Sequence, residues 1–195
     1  MNRYTIREAR QEEASVVARY IMMAMTDDCC LHLAGPGNTL DDFHRLMTKM
    51  AAMEQTQYSY RNALVAADAE GTVVGACVAY DGASMKLLRE TFLSHLLSDL
   101  GHDFQFAEDE TQPGEYYIDT LAVSPQHRHQ GIATRLLHAA IGRATASGLP
   151  AALLVDVGNP NAERLYRSLG FEEVGTKTWG GHGMKHLVRP MDSTL

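Results

Sequence analysis

The sequence predicts a mixed α/β domain built in layers, and three observations carry that reading. Apolar periodicity switches repeatedly between strand-like alternation and helical spacing. The run from Ala151 to Val157 is nearly all apolar, as a central strand covered on both faces would be, and breakers such as Gly71, Gly148 with Pro150, and Gly170 separate the runs. Strands and helices that alternate in this way bury their apolar faces against one another around a core.

Each element follows from its own pattern. Tyr4 to Ala9 alternates and is predicted as a first strand, and Ala14, Val17, Ile21 and Ala24 then recur at helical spacing behind the polar start Gln11 to Glu13. After a break at Ala34 to Asn38, Thr39 stands three residues before Asp42, a relative of the capping box. Phe43, Leu46, Met47, Met50 and Met53 follow on one helical face that reads as core. Asn62 to Ala67 and Thr72 to Tyr80, separated by Asp68, Glu70 and Gly71, predict a hairpin. Lys86 to Leu100 returns to helical spacing with Leu93, Leu96, Leu97 and Leu100 as its apolar row. A long polar and acidic loop follows, Gly101 to Gly114, either a wall of a functional site or a solvated excursion.

Tyr116 to Val123 is a strong strand, followed by a helix from Gly131 to Ala146, the central strand Ala151 to Val157, and a short helix Asn161 to Leu169 stopped at Gly170 by a left-handed cap. Phe171 to Trp179 and Met184 to Pro190 close the chain as a hairpin across Gly180, Gly181 and Gly183. The predicted order is strand, two helices, three strands with a helical insert, helix, strand, helix and two strands.

Composition narrows the function classes. A chain of 195 residues is most simply one domain able to bury roughly 70% of its unfolded surface. No apolar run approaches the length of a membrane span, and the opening residues, with Arg3, Arg7, Glu8 and Arg10, lack the pattern of a signal peptide. The net charge of -7 repels phosphates, which argues against nucleic-acid and membrane partners and mildly favours a cationic one. Cys29, Cys30 and Cys77 match no disulfide or zinc spacing, so a cytoplasmic setting is expected. The adjacent pair reads as small apolar side chains at a helix end. His127 with His129, and His182 with His186, lack the further ligands of a metal site, and no metal is expected.

The stretch from Val123 to Thr134 carries the chemistry. A strand runs through Ser124 and Pro125 into a turn holding Arg128, then into a helix that opens with Gly131 and Ala133. Backbone N–H groups at a helix start lack intrahelical partners, the helix dipole is positive there, and small residues let an anion approach. Arg128 adds a guanidinium fork, and Thr134 a hydroxyl. The spacing is not that of a P-loop, which needs a Lys after its second Gly, nor of a dinucleotide fingerprint, which needs three glycines. Alone, the segment would equally fit an ordinary loop ending in Arg and Gly.

The run Arg128-His129-Gln130-Gly131-Ile132-Ala133 resembles the Arg/Gln-x-x-Gly-x-Gly/Ala signature of the GCN5-related N-acetyltransferase (GNAT) family. Downstream, Asn159-Pro160-Asn161-Ala162-Glu163-Arg164-Leu165-Tyr166 through Gly170-Phe171 is similar to that family's second motif. The resemblance is weak over 26–62 and 82–115. It implies an α/β fold with a central, mixed, mostly antiparallel sheet, helices on both faces, and a parallel strand pair that splays apart along Ile118 to Val123 and Leu153 to Val157. It implies one N-acetyltransferase domain over 1–195, with 82–115 as an insertion, acting on acetyl-CoA and a small-molecule or peptide amine. A homodimer stays open.

In that resemblance the pyrophosphate lies on Arg128, His129, Gln130, Gly131, Ile132, Ala133 and Thr134. The pantetheine arm runs along Leu121, Ala122 and Val123, and Asn159 touches the cofactor. An amine must be neutral to attack a thioester, the oxyanion needs donors, and the departing thiolate benefits from a proton. Tyr166 is then the acid, N–H groups near Leu121 and Ala122 are the oxyanion donors, and the base is Asp119, Glu115 or a water chain. By simple alternation Asp119 would share a face with Tyr117, Leu121 and Val123. A non-catalytic acyl-CoA sensor and an acetyltransferase of protein lysines or chain termini are the rival readings.

Overall fold

The computed structural model describes residues 3–105, 108–179 and 181–191. Seven strands form one sheet in the order β1-β2-β3-β4-β5-β7-β6, made of β1 (Thr5–Glu8), β2 (Ala63–Ala67), β3 (Val73–Asp81), β4 (Tyr116–Val123), β5 (Ala151–Asp156), β6 (Glu172–Trp179) and β7 (His182–Arg189). Among the described residues only β4 and β5 pair in parallel, and every other neighbour pair is antiparallel. This is the mixed, mostly antiparallel sheet that the family resemblance implies. Gly180, placed by the sequence in the closing hairpin, lies outside the described residues.

Helices cover both faces. On one side α1 (Ala14–Met25), α2 (Asp27–Ala34), α3 (Leu40–Ala52) and α4 (Met85–Leu100) bury Val17, Ile21, Phe43, Met47, Met50 and Phe92 against the sheet. On the other, α5 (Ile132–Ala146) buries Ile132, Leu136, Leu137, Ala140 and Ile141, and α6 (Pro160–Ser168) packs Leu165 and Tyr166 beside them. Each such aliphatic side chain contributes about 2 kcal/mol through its burial. No helix of the described residues is long and apolar enough to cross a membrane.

Local chemistry explains the boundaries. Thr39 and Asp42 form a reciprocal capping box, with Thr39 N–H donating to Asp42 Oδ2 at 2.8 Å and Asp42 N–H to Thr39 Oγ1 at 3.2 Å. Gly170, at φ +85°, closes α6: its N–H reaches Arg167 O, and that of Phe171 reaches Tyr166 O. This paired arrangement is the Schellman motif. It sets Phe171 edge-on to Tyr166, with ring centroids 6.0 Å apart.

Three expectations are corrected. The segment before β2 holds three helices, because Thr26 breaks the first at φ +72° and α2 begins directly after it. The buried row of α4 is Met85, Arg89, Phe92 and Leu96; of the predicted leucine row Leu96 is buried, Leu93 and Leu100 pack partly against the core, and Leu97 points outward, 52% exposed. Ala24 also leaves the core face and is exposed. The insertion from 82 to 115 is pinned at its neck, where Gly82 N–H donates to Glu115 O at 2.8 Å. A Cβ on Gly82 would come within 2.4 Å of Gln112 O, so only glycine fits there.

Candidate active site

The turn after β4 presents backbone donors. Ser124 N–H closes onto Val74 O at 2.9 Å and Arg128 Nε onto Val123 O at 3.3 Å, which fixes the base of the guanidinium while the side chain stays on the surface. His129 is left-handed at φ +59°, and Gly131 likewise at φ +75°, with open space where a Cβ would stand. Left-handed turns of this kind let successive N–H groups converge on an anion. Arg135 N–H reaches back to Gly131 O at 3.1 Å. The N–H groups of Ile132, Ala133 and Thr134, ahead of it, have no carbonyl one turn back. Tyr4 supports this turn, a role that no local pattern signals. Its hydroxyl donates to Gln130 Oε1 at 2.7 Å, and its ring meets His127 edge-on at 6.1 Å.

A gap opens beside this turn. Pairing between β4 and β5 covers only Tyr116 with Ala151, Tyr117 with Ala152 and Ile118 with Leu153, although both strands continue. The cause lies in β4: Val78 of β3 stands opposite Thr120 and Ala79 opposite Ile118, so Asp119 is an extra residue. Such a bulge bends and twists its strand. It also reverses the alternation. Tyr117 and Ala122 belong to the core under α1–α4, whereas Ile118, Leu121 and Val123 face the α5 side. Asp119 therefore does not share a face with Leu121 and Val123, contrary to simple alternation.

The splayed strands enclose a cavity of about 200 Å³ walled by Glu110, Tyr117, Asp119, Leu121, Asn159, Tyr166 and Trp179, among others. Asp119 Oδ2 accepts from the Tyr80 hydroxyl at 2.7 Å. Burial, and next the charge of Glu110, push its carboxyl up to about 8. Glu110 was read only as part of a polar loop, yet it is 7% exposed and turned inward, with Arg89 Nη2 at 3.0 Å and the Tyr117 hydroxyl donating at 3.2 Å. Its own carboxyl is raised by burial, against the pull of Arg89. Trp179 Nε1 is buried without a hydrogen bond of acceptable geometry, yet it still helps to hold Glu110 down. The loop is thus neither a free lid nor solvated around this point. Asp109 pairs with Arg89 and Lys86, and its carbonyl accepts from Lys177 of β6 at 2.8 Å.

The other sequence candidates divide. Tyr166 lines the cavity, its hydroxyl raised above the ordinary range by burial, so it is protonated at neutral pH. Asn159 lines it too and caps α6, its Oδ1 accepting from Ala162 N–H at 3.1 Å. Glu115 does not reach the cavity; it is buried between His186 Nε2 at 3.2 Å, the Thr111 hydroxyl at 3.0 Å and Gln112. Trp179 of β6 lines the cavity, whereas His186 of β7 does not.

A second cavity of about 690 Å³ adjoins the first, sharing Ala24, Met25, Asp156, Asn159, Trp179 and Met184 as walls and adding Thr26, Asp28, Cys29, His32 and His182. Burial raises the Cys29 thiol to about 11 and the Cys30 thiol to about 12, so neither is a ready thiolate. His182 sits 3.3 Å from Asp156. Among the described residues no group of three or more His, Cys, Asp or Glu is arranged to hold a metal.

A mostly antiparallel sheet with one splayed parallel pair and helices on both faces is an acetyltransferase fold. The model of the acetyltransferase (GNAT) family matches residues 38–171, and the chain belongs to that family. It resembles the crystal structure of an acetyltransferase at 31% identity, with a TM-score of 0.81 over 96% of this chain and 100% of the other. An N-acetyltransferase from Staphylococcus aureus Mu50 shares the fold at 24% identity and a TM-score of 0.77, over 94% of this chain and 99% of that one. The NatC complex bound to Gag peptide and CoA does so at 15% identity and a TM-score of 0.58, over 97% and 99%. The uncharacterized protein ML0378 of Mycobacterium leprae (strain TN) is 39% identical over 67 residues, a match taking in 34% of this chain and 18% of that protein.

Proposed function

We propose that this chain transfers the acetyl group of acetyl-CoA to a primary amine of a small molecule or peptide, the two substrates meeting between β4 and β5. The observation that carries the reading is the stretch of β4 beyond Ile118 that β5 leaves unpaired: its Asp119, Thr120 and Leu121 line the acid-lined cavity, and the strand then runs on into the turn ahead of α5.

The residues fit an acyl-CoA. Beyond Ile118 the β5-facing edge of β4 has no strand partner, which suits the amides of a pantetheine arm. The open left-handed Gly131 and the helix start behind it suit a pyrophosphate, with Arg128 to pair its oxygens. Bound there, acetyl-CoA supplies an activated acyl thioester. Tyr166, held protonated, donates to the departing sulfur, and Asp119 takes the proton of the incoming ammonium. Asp28, Glu110, Asp119 and Asp156 line the two cavities while, among the described residues, no Lys or Arg does, which favours a cationic acceptor. The free Cys29, Cys30 and Cys77 accord with a cytoplasmic setting.

An amine library screened with acetyl-CoA, following release of CoA thiol, tests the proposal. Release dependent on a primary amine is the expected result. CoA binding with no turnover on any amine or peptide would instead mark a non-catalytic acyl-CoA sensor.

A further inference from the structure

The cavity holds a charged group that neither family motif supplies. Glu110 arrives on the 82–115 insertion and meets Arg89, whose side chain projects inward from α4; both side chains are only 7% exposed. Ion pairs this deeply buried are costly to desolvate and survive only when their remaining atoms are satisfied. Here Arg89 also reaches Asp109 at 3.1 Å, and Tyr117 donates to Glu110 Oε2, so both carboxylate oxygens of Glu110 are occupied. Asp119 is capped in a parallel way by the Tyr80 hydroxyl. Tyr80 and Tyr117 are opposite partners across β3 and β4, their rings edge-on at 5.9 Å. Two carboxylates are thus held by one tyrosine pair, and both line the same cavity.

We propose that Glu110 is a positioning residue for the transfer: its charge sets the protonation of Asp119, which takes a proton from an acceptor that enters as a primary ammonium. This rests on the acetyl-transfer reading above. The step balances: the ammonium gives one proton to the Asp119 carboxylate, leaving a neutral amine and a carboxylic acid that later returns the proton to water. An ordinary aspartate is too weak a base for an ammonium, and a like charge in a buried cavity raises its proton affinity. Arg89 is the counterpart that keeps Glu110 ionised.

Other groups act on Asp119 as well. Tyr80 and Cys77 come from β3, Tyr117 from β4, and Tyr58 from the segment before β2. Arg89 comes from α4, Asp156 of β5 lines the same cavity, and Cys29 of α2 feels Glu110. The thiols and phenols are all held protonated by burial, so Glu110 and Arg89 are the charges nearest the issue.

The test is a carboxyl NMR titration of the full chain labelled with 13C-aspartate, with Asp119→Asn to assign the resonance. Asp119 is expected to titrate at a pH about one unit lower in Glu110→Gln than in the parent, and near the parent value in Glu110→Asp. The acid limb of the pH profile of kcat/KM for an acceptor amine should move the same way. A folded Glu110→Gln protein whose Asp119 titrates as in the parent overturns the proposal. So does a moved titration with an unmoved rate profile. Should Glu110→Gln fail to fold, Tyr117→Phe removes the hydroxyl that holds Glu110 as an anion, and must move Asp119 in the same direction by less. Absence of any turnover in the parent would fail the acetyl-transfer reading itself, a result separate from a failure of the Glu110 variants.

Discussion

Two regions meet the gap between β4 and β5, and they are made of different materials. The 128–134 turn is contiguous in sequence, largely exposed, and offers mostly backbone N–H groups aligned by left-handed His129 and Gly131. The acid-lined wall is assembled from side chains on α4, the insertion, β3, β4 and β6, most of them buried. The turn works through geometry that the backbone sets whatever the pH. The wall works through desolvation and charge, and so depends on protonation. Variants in the turn should therefore change cofactor affinity, and variants in the wall should change turnover or its pH dependence.

The largest expected effect separates the two regions at Tyr166. It lines the cavity with a hydroxyl that burial keeps protonated, braced by Phe171 through the α6 cap. Tyr166→Phe should lower kcat by about 100-fold, the usual scale for removing a positioned acid, and leave CoA affinity by calorimetry unchanged. Full turnover in that variant would remove Tyr166 from the chemistry and leave the cavity wall with a packing role.

That contrast also explains what the sequence could reveal. The turn and the α6 motif are local, so Arg128 and Gly131 are legible as an anion turn, Asn159 and Tyr166 through the family motif that their segment resembles, and the capping box at Thr39 and the stop at Gly170 from spacing. Glu110 and Arg89 were not: in sequence they are one acid in an acidic loop and one basic residue on an amphipathic helix, and only the fold brings them within 3.0 Å. The bulge at Asp119 left no mark in the residue pattern, which is why alternation assigned its neighbours to the wrong face. Glu115, adjacent to the strand and acidic, looked equivalent to Asp119 until its partners His186 and Thr111 placed it outside the cavity.

A smaller effect tests the turn. Arg128→Glu removes a charge-assisted contact and places an anion beside the helix start, so CoA affinity should fall about 30-fold, roughly 2 kcal/mol. At saturating acetyl-CoA, kcat should be retained. Unchanged affinity would mean that the phosphates lie elsewhere, and a loss of kcat without a loss of affinity would mean that the two regions are not separable as described.

The last effect, the smallest when taken per pH unit, is on stability, and it belongs to the wall alone. Asp119 is pushed up to about 8 in the fold, while in an unfolded chain it titrates near about 4. Between those values the folded protein holds a proton that the unfolded chain has released, so stability falls as pH rises, by at most about 1.4 kcal/mol per pH unit. Below about 4 both states are protonated, and above about 8 both are ionised, so the slope vanishes outside that window. The carboxyls that partners hold low, Glu13, Asp42, Asp99 and Glu163, act in the opposite sense. Their contribution is lost as pH falls through their folded values, below the range in question. Groups common to parent and variant cancel in a comparison of melting temperatures from about pH 5 to about pH 8: the parent should lose more stability across this range than Asp119→Asn, and Arg128→Glu should follow the parent. Equal slopes in the parent and Asp119→Asn would mean that Asp119 is ionised throughout, and that the cavity is too well hydrated to raise a carboxyl.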